Sequence, residues 1–382
     1  MKALVNGIIL AEEGELHGAA LLFDERIRGI VPADQIPDVE QIDAGGLYIC
    51  PGLVDVHIHG YWGEDVSDGQ LEGLRKMARG VLQNGVTSFL PTTMTVSRAE
   101  ILRAFAIIRH MMPESQLDGF DGSQILGCHA EGPFINPARK GAQSAEHILP
   151  PDASLILDNQ DVVRIVTMAP EMPGALDFIR QITDQTDVLI SIGHTSASYD
   201  QAMAAIRAGA GHITHLFNAM TGLNHRDPGV VGAALGSPVS CELIADGFHI
   251  HPGLFSFLHS AKGDQLVLVT DCTRAGGLPD GEYSLGGQPI YVKGIECRLA
   301  DGTIAGSVLH LNDAVRNLYR HGGVTRLQAV HAASLSPARA IGADKRKGSI
   351  RAGKDADLVL MDDNFEVTAT YVRGVRKYIR EA

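Results

Sequence analysis

Residues 51–60 read Pro51-Gly-Leu-Val-Asp-Val-His-Ile-His-Gly60. The apolar residues spell a short β-strand, and strict alternation along it puts His57 and His59 on one face. Working outward, short apolar runs recur at 87–91, 125–129, 164–168, 188–192, 212–216, 241–245 and 265–270. With 53–58 these make eight candidate strands. Between them Ile101, Phe105, Ile108 and Met112 fall at helical spacing, as do Met203 and Ile206 after the capping candidate Ser198. The stretch Arg226-Asp-Pro-Gly-Val-Val-Gly-Ala-Ala-Leu-Gly236 is too rich in Gly and Pro to be read as a helix. Eight alternating β and α units within about 220 residues fit an α/β (β/α)8 TIM barrel better than a doubly wound sheet.

The flanks read differently. Short β-like runs at 4–5, 8–10, 20–23 and 47–49, and again at 356–361 and 367–372, are broken by turn residues. Neither end alone could bury much core. The expectation is a small β-sandwich-like domain built from 1–50 and 346–382, around a barrel spanning 51–345. The Gly-rich segment 273–310 is expected to be a loop or hairpin excursion.

The chain has 382 residues, 45% of them hydrophobic and 20% charged, with a formal charge of −13. That is globular composition, and the acidic balance argues against a nucleic-acid or anionic-membrane partner. The opening Met1-Lys-Ala-Leu-Val-Asn-Gly7 lacks the apolar run of a signal peptide, and no stretch approaches a membrane span. Cys50, Cys128, Cys241, Cys272 and Cys297 are scattered and form no CxxC. A reducing, cytoplasmic setting is expected.

In a barrel the active site lies at the C-terminal ends of the strands. Those positions carry His57, His59, Glu131, His194, His215, Asp246, His249 and Asp271. A lone His at a strand end is commonly a hydrogen-bonded structural residue, and His110, His147, His259 and His321 read that way. An Asp ending a strand is commonly a cap. Five separate strands with ligand-type residues at the same end is a different matter. Neutral nitrogen and anionic oxygen donors converging on one point are what a divalent cation needs.

With these residues the chain resembles the amidohydrolase superfamily, through the order HxH, Glu, His, His, Asp and the terminal Gly353-Lys-Asp-Ala-Asp-Leu-Val-Leu360. Within it, the chain is similar to the N-acetylglucosamine-6-phosphate deacetylase family. The motifs that carry the likeness are His129-Ala-Glu-Gly-Pro-Phe134, Gly193-His-Thr195, Thr214-His-Leu-Phe-Asn-Ala-Met220, Ala245-Asp-Gly-Phe-His249 and Val269-Thr-Asp271. The resemblance implies hydrolysis of an acetamide, with one ion on Glu131, His194 and His215 and Asp271 as general base and then acid. Retention of His57 and His59 implies a second ion, with Glu131 as the bridge. Zn, Fe, Mn and Co all suit such donors. Asn218, Ala219 and His249 match the family's sugar- and phosphate-contacting positions. Arg226 matches an arginine that reaches the neighbouring subunit's phosphate, which implies a homodimer.

Two departures stand out. Gln143, in Lys140-Gly-Ala-Gln143, occupies a substrate-contacting place where some members carry histidine, and it cannot supply a proton. Tyr61 and Trp62 follow His59 where small residues are common, and that bulk either covers the site or packs away from it. The substrate implied is N-acetylglucosamine 6-phosphate. The galacto epimer, another amidohydrolase substrate, and a non-catalytic barrel are the competing readings, and the first differs by a single hydroxyl.

Overall fold

The computed structural model describes residues 1–381. Its centre is a ring of parallel strands: β1 (Leu53–Ile58), β2 (Val86–Thr93), β3 (Cys128–Glu131), β4 (Val163–Met168), β5 (Leu189–Ile192), β6 (His212–Ile213), β7 (Ser240–Leu243) and β8 (Leu266–Leu268). Each pairs with the next in parallel. Closure comes beyond the end of β8, where Asp271 N–H donates to His57 O at 2.8 Å and His59 N–H donates to Cys272 O at 2.9 Å. The (β/α)8 reading therefore holds.

Alternation along the strands decides what faces where. Val54, Val56 and Ile58 belong to the large apolar core that the surrounding helices also feed. Asp55 and His57, on the opposite face, meet Thr270 and Glu242 inside the ring. The helices follow their sequence signals. Arg98–Glu114 carries Ile101, Phe105 and Ile108 inward behind a Ser97/Glu100 capping box. Tyr199–Ala208 starts from Ser198, whose hydroxyl accepts from Gln201 N–H.

Four expectations need correction. The segment 226–236 does contain a helix, Gly229–Leu235: Pro228 sits just before it, where a missing N–H costs nothing, and the small residues pack closely. The run at 212–216 is a strand only over His212–Ile213, because His215 turns left-handed at φ 30°. The run at 125–129 is split, with Gln124–Ile125 pairing β2 before Gly127 lets the chain re-enter as β3. The segment 273–310 holds a three-stranded antiparallel sheet, Gly281–Leu285, Gln288–Lys293 and Glu296–Leu299, more than a single hairpin.

Besides a two-stranded ribbon of Gly60–Tyr61 and Glu64–Asp65, the remaining sheets come from the termini. Lys2–Val5, Ala19–Phe23, Ile27–Pro32 and Glu40–Asp43 form a four-stranded sheet, and a six-stranded sheet joins Ile8–Ala11, Gly14–Leu16 and Tyr48–Pro51 to Leu358–Met361, Val367–Val372 and Val375–Ile379. A separate apolar cluster, with Leu4, Ile9, Leu21, Phe23, Ile49, Leu358 and Tyr371, lies among these strands. Phe23 meets Tyr371 edge-on at 6.0 Å, so each end completes the other's core.

The Gly353-Lys-Asp-Ala-Asp segment is a buried ionic seam. Lys347 Nζ lies 2.9 Å from Asp355 and 2.6 Å from Asp357, and also donates to Gln124 at the entry of the barrel. Burial pushes the Asp355 carboxyl up, but Lys347 and Arg346 outweigh it and hold the group below its ordinary value. The stabilisation this gives is present at neutral pH and lost as pH falls through the lowered pKa. Lys347→Met leaves buried Asp357 without its cation and Asp355 with Arg346 alone, and is expected to cost about 3–5 kcal/mol in denaturant unfolding at pH 7. The deficit should shrink in acid as the Asp355 carboxyl protonates, and an unchanged unfolding midpoint at pH 7 would refute the seam.

Candidate metal centre

The strand ends bring six of the expected residues to one point. His194 Nε2 and His215 Nε2 lie 3.1 and 3.2 Å from Glu131 Oε1, and 3.0 Å from each other. His59 Nε2 is 3.2 Å from Glu131 Oε2 and 3.2 Å from Asp271 Oδ1. His57 Nε2 is 3.3 Å from His59 Nε2 and 3.4 Å from Asp271 Oδ1. The donors thus fall into two sets, Glu131 with His194 and His215, and His57 with His59 and Asp271. Glu131 touches both.

The far side of each ring fixes which nitrogen carries the proton. Nδ1 of His59, His194 and His215 faces a backbone carbonyl: Thr92 O at 3.2 Å, Arg139 O at 2.9 Å and Asn218 O at 3.1 Å. Nδ1 of His57 faces the Glu242 carboxylate at 2.8 Å. None of these partners can donate, so each Nδ1 must. In the neutral rings all four Nε2 lone pairs then point into the same small volume. Lone pairs crowded at 3.0–3.3 Å around two carboxylates repel one another unless protons or a cation lie between them. The donor set fits a divalent metal ion.

Backbone strain accompanies this geometry. His194, His215 and Asp271 have φ of 49°, 30° and 50°, in the left-handed region that costs a side-chain-bearing residue on the order of 1–3 kcal/mol. Gly60, which ends the HxH motif, sits where a Cβ would lie 2.4 Å from Glu64 O and 2.5 Å from Arg274 N. Only glycine lets those backbones close behind His59.

Electrostatics follow burial. Burial pushes the Glu131 carboxyl up, but the imidazoles of His57 and His194 outweigh it and hold the group well below its usual range. Asp271 is likewise lowered against its burial, by His57 and His59. Burial depresses His59, yet Asp271 and Glu131 raise it to about 9. The centre is built to hold positive charge.

A cleft of about 360 Å³ opens on this cluster. Gln143, Asn218, Ala219 and His249 line it, together with His59, Glu131, His194, His215 and Asp271. His249 gives its Nδ1–H to Asp246 at 2.6 Å, which leaves Nε2 as its free edge. Gln143 is 2% exposed; its Oε1 accepts from Thr95 N–H at 2.6 Å and its Nε2 donates one of its two protons to Glu131. Arg226 is not among the lining residues and sits on an exposed loop. Tyr61 and Trp62 do not line the cleft either. Tyr61 is buried, its hydroxyl held by Gln83 at 2.6 Å and Asn84 at 3.0 Å, and its ring lies against Trp62.

Sequence reasoning passed over Glu242, His129 and Arg139. Glu242 and His129 are wholly buried inside the ring. Burial pushes the Glu242 carboxyl up, and His57 and His212 bring it well below its usual range. Burial, with His57 nearby, drops His129 to about 3, so it stays neutral between Val56 O and Thr167 Oγ1. The signal for Glu242 was a lone carboxylate inside an apolar strand run. Arg139, which lines the cleft mouth, has no local signal.

Residues 48–377 match the model of the Amidohydrolase family. An N-acetylglucosamine-6-phosphate deacetylase of Bacillus subtilis (strain 168) is 40% identical over 381 residues, covering 97% of this chain and 96% of the relative. An N-acetylgalactosamine-6-phosphate deacetylase of Escherichia coli O157:H7 is 38% identical over 371 residues, covering 96% of each. The crystal structure of N-acetylglucosamine-6-phosphate deacetylase from Pasteurella multocida superposes with a TM-score of 0.94 at 31% identity, over 99% of this chain and 100% of that one.

A ligand that binds only the native donor set stabilises the fold by mass action, by about 4 kcal/mol at a thousandfold excess over Kd. Chelation is therefore expected to lower the melting temperature, and a divalent ion to restore it. A melting temperature indifferent to both treatments would reject the metal centre.

Proposed function

This chain belongs to the amidohydrolase family, and we propose that it hydrolyses the acetamide of N-acetylglucosamine 6-phosphate to glucosamine 6-phosphate and acetate. The observation that carries the reading is the pair of donor sets sharing Glu131 at the floor of a cleft that also presents Asn218, Ala219 and His249. Glu131, His194 and His215 would hold one divalent ion and His57 and His59 a second, of Zn, Fe, Mn or Co. When bound, such an ion supplies Lewis acidity, polarising an amide carbonyl and lowering the pKa of water to roughly 7.

The chain's own residues do the rest. The Asp271 carboxylate, 3.2–3.4 Å from the Nε2 atoms of His59 and His57, takes the proton of the attacking water. It then returns that proton to the sugar nitrogen as the C–N bond breaks. Met94, Leu285 and Ile304 line the same cleft and offer apolar surface to the acetyl methyl. His249 Nε2, aimed by Asp246, accepts from a sugar hydroxyl, and the left-handed backbone at Ala219, φ 51°, presents an N–H to the sugar phosphate. Arg226 completes the phosphate site from the neighbouring subunit of a homodimer, which accounts for its place outside its own cleft. The enzyme works in the cytoplasm, in keeping with five buried, unpaired cysteines.

The name of the Escherichia coli relative keeps the galacto epimer as the second reading. Turnover of metal-replete protein on N-acetylglucosamine 6-phosphate, its galacto epimer and the unphosphorylated sugar separates these. The expected order places the first highest and the unphosphorylated sugar lowest, and inactivity on all three would overturn the proposal. Asp271→Asn is expected to lower kcat by about 10²–10⁴-fold, with metal still bound.

A further inference from the structure

His57 is the exception among the four imidazoles of the centre. The other three hand their Nδ1–H to a backbone carbonyl close by. His57 points into the ring, and its Nδ1 partner is a side chain reaching across the barrel from β7, Glu242 Oε2 at 2.8 Å. The same Oε2 accepts the backbone N–H of His215 at 2.8 Å. That N–H is available because the chain leaves β6 in the left-handed turn at His215. One oxygen therefore holds a ring from the first donor set and the backbone of a ring in the second.

Glu242 is itself braced. Its Oε1 lies 3.2 Å from His212 Nε2, and His212 Nδ1 lies 2.6 Å from Ser240 Oγ. On its other flank His57 meets His129 edge-on at 4.6 Å between ring centres, and His129 is pinned by Val56 and Thr167. The trio His57, His129 and Glu242 has the outline of a third metal site. His57 Nδ1 and both nitrogens of His129 are already spent on carboxylate, carbonyl and hydroxyl partners, so the trio acts as a brace.

We propose that Glu242 is a positioning residue: its Oε2 aims His57 Nε2 at the second ion and ties that half of the centre to the His215 half. The inference rests on the two-ion reading above. It requires reach more than charge. A glutamine carbonyl can take both Oε2 bonds while its amide turns to His212, whereas an aspartate keeps the charge but falls one methylene short.

The test compares the wild type with Glu242→Gln and Glu242→Asp, each reconstituted with Co(II). Bound metal is counted by elemental analysis, and the d–d absorption spectrum reports ligand geometry. Glu242→Gln is expected to keep two ions and the wild-type spectrum. Glu242→Asp is expected to bind the His57/His59 ion about 10–100-fold more weakly, with an altered spectrum. Two tightly held ions in Glu242→Asp, or equal losses in both variants, would overturn the positioning role and leave the deacetylase reading standing. A single ion in the wild type would overturn the two-ion reading and the positioning role with it, leaving hydrolysis on one ion standing.

Discussion

Four ring nitrogens are made to face one another, and everything else at this site follows from how they are held there. Each imidazole surrenders its Nδ1–H to an acceptor that cannot move: three backbone carbonyls and one buried carboxylate. The tautomer is thereby settled before any ligand arrives, and the rings lose little freedom when one does. The barrel is the device that makes this possible. Parallel strands bring their ends to one rim, and the closing bonds between His57, His59 and the 271–272 segment lock the two ends of the ring across the centre.

This arrangement is costly in isolation. Left-handed turns at His194, His215 and Asp271, wholly buried carboxylates and crowded lone pairs all oppose folding. A continuous apolar core between strands and helices offsets that cost, and polar groups inside the ring answer one another. Asp55 accepts from Thr270, His129 sits between Val56 and Thr167, and Thr214 is shared by Thr167 and Ser191. The small β domain adds a second core, and its ionic seam at Lys347 fastens it to the barrel entry.

The signals that could be read in the chain were periodic ones. Alternation through 53–59 put His57 and His59 on one face, helical spacing gave the 98–114 helix, and eight apolar runs gave the ring. What escaped was set by contacts between distant segments. Glu242 reads locally as a misplaced charge in a core strand, and only the arrival of His57 from across the ring gives it a role. The strand expected at 212–216 ends early because His215 is pulled toward Glu131, and propensity carries no trace of that. Gln143 lines the cleft, but its bonds to Thr95 and Glu131, partners lying 48 and 12 positions away, left no trace in the local sequence. The helix at 229–235 survives its glycines because tertiary packing outweighs propensity there.

The central claim, that the four Nε2 atoms and two carboxylates form one shared centre, is tested most directly by anomalous diffraction from crystals loaded with Mn or Zn. Two peaks are expected, one among Glu131, His194 and His215 and one beside His57 and His59, with Glu131 between them. Ions bound elsewhere, or a filled centre that leaves His57 and His59 unligated, would contradict it.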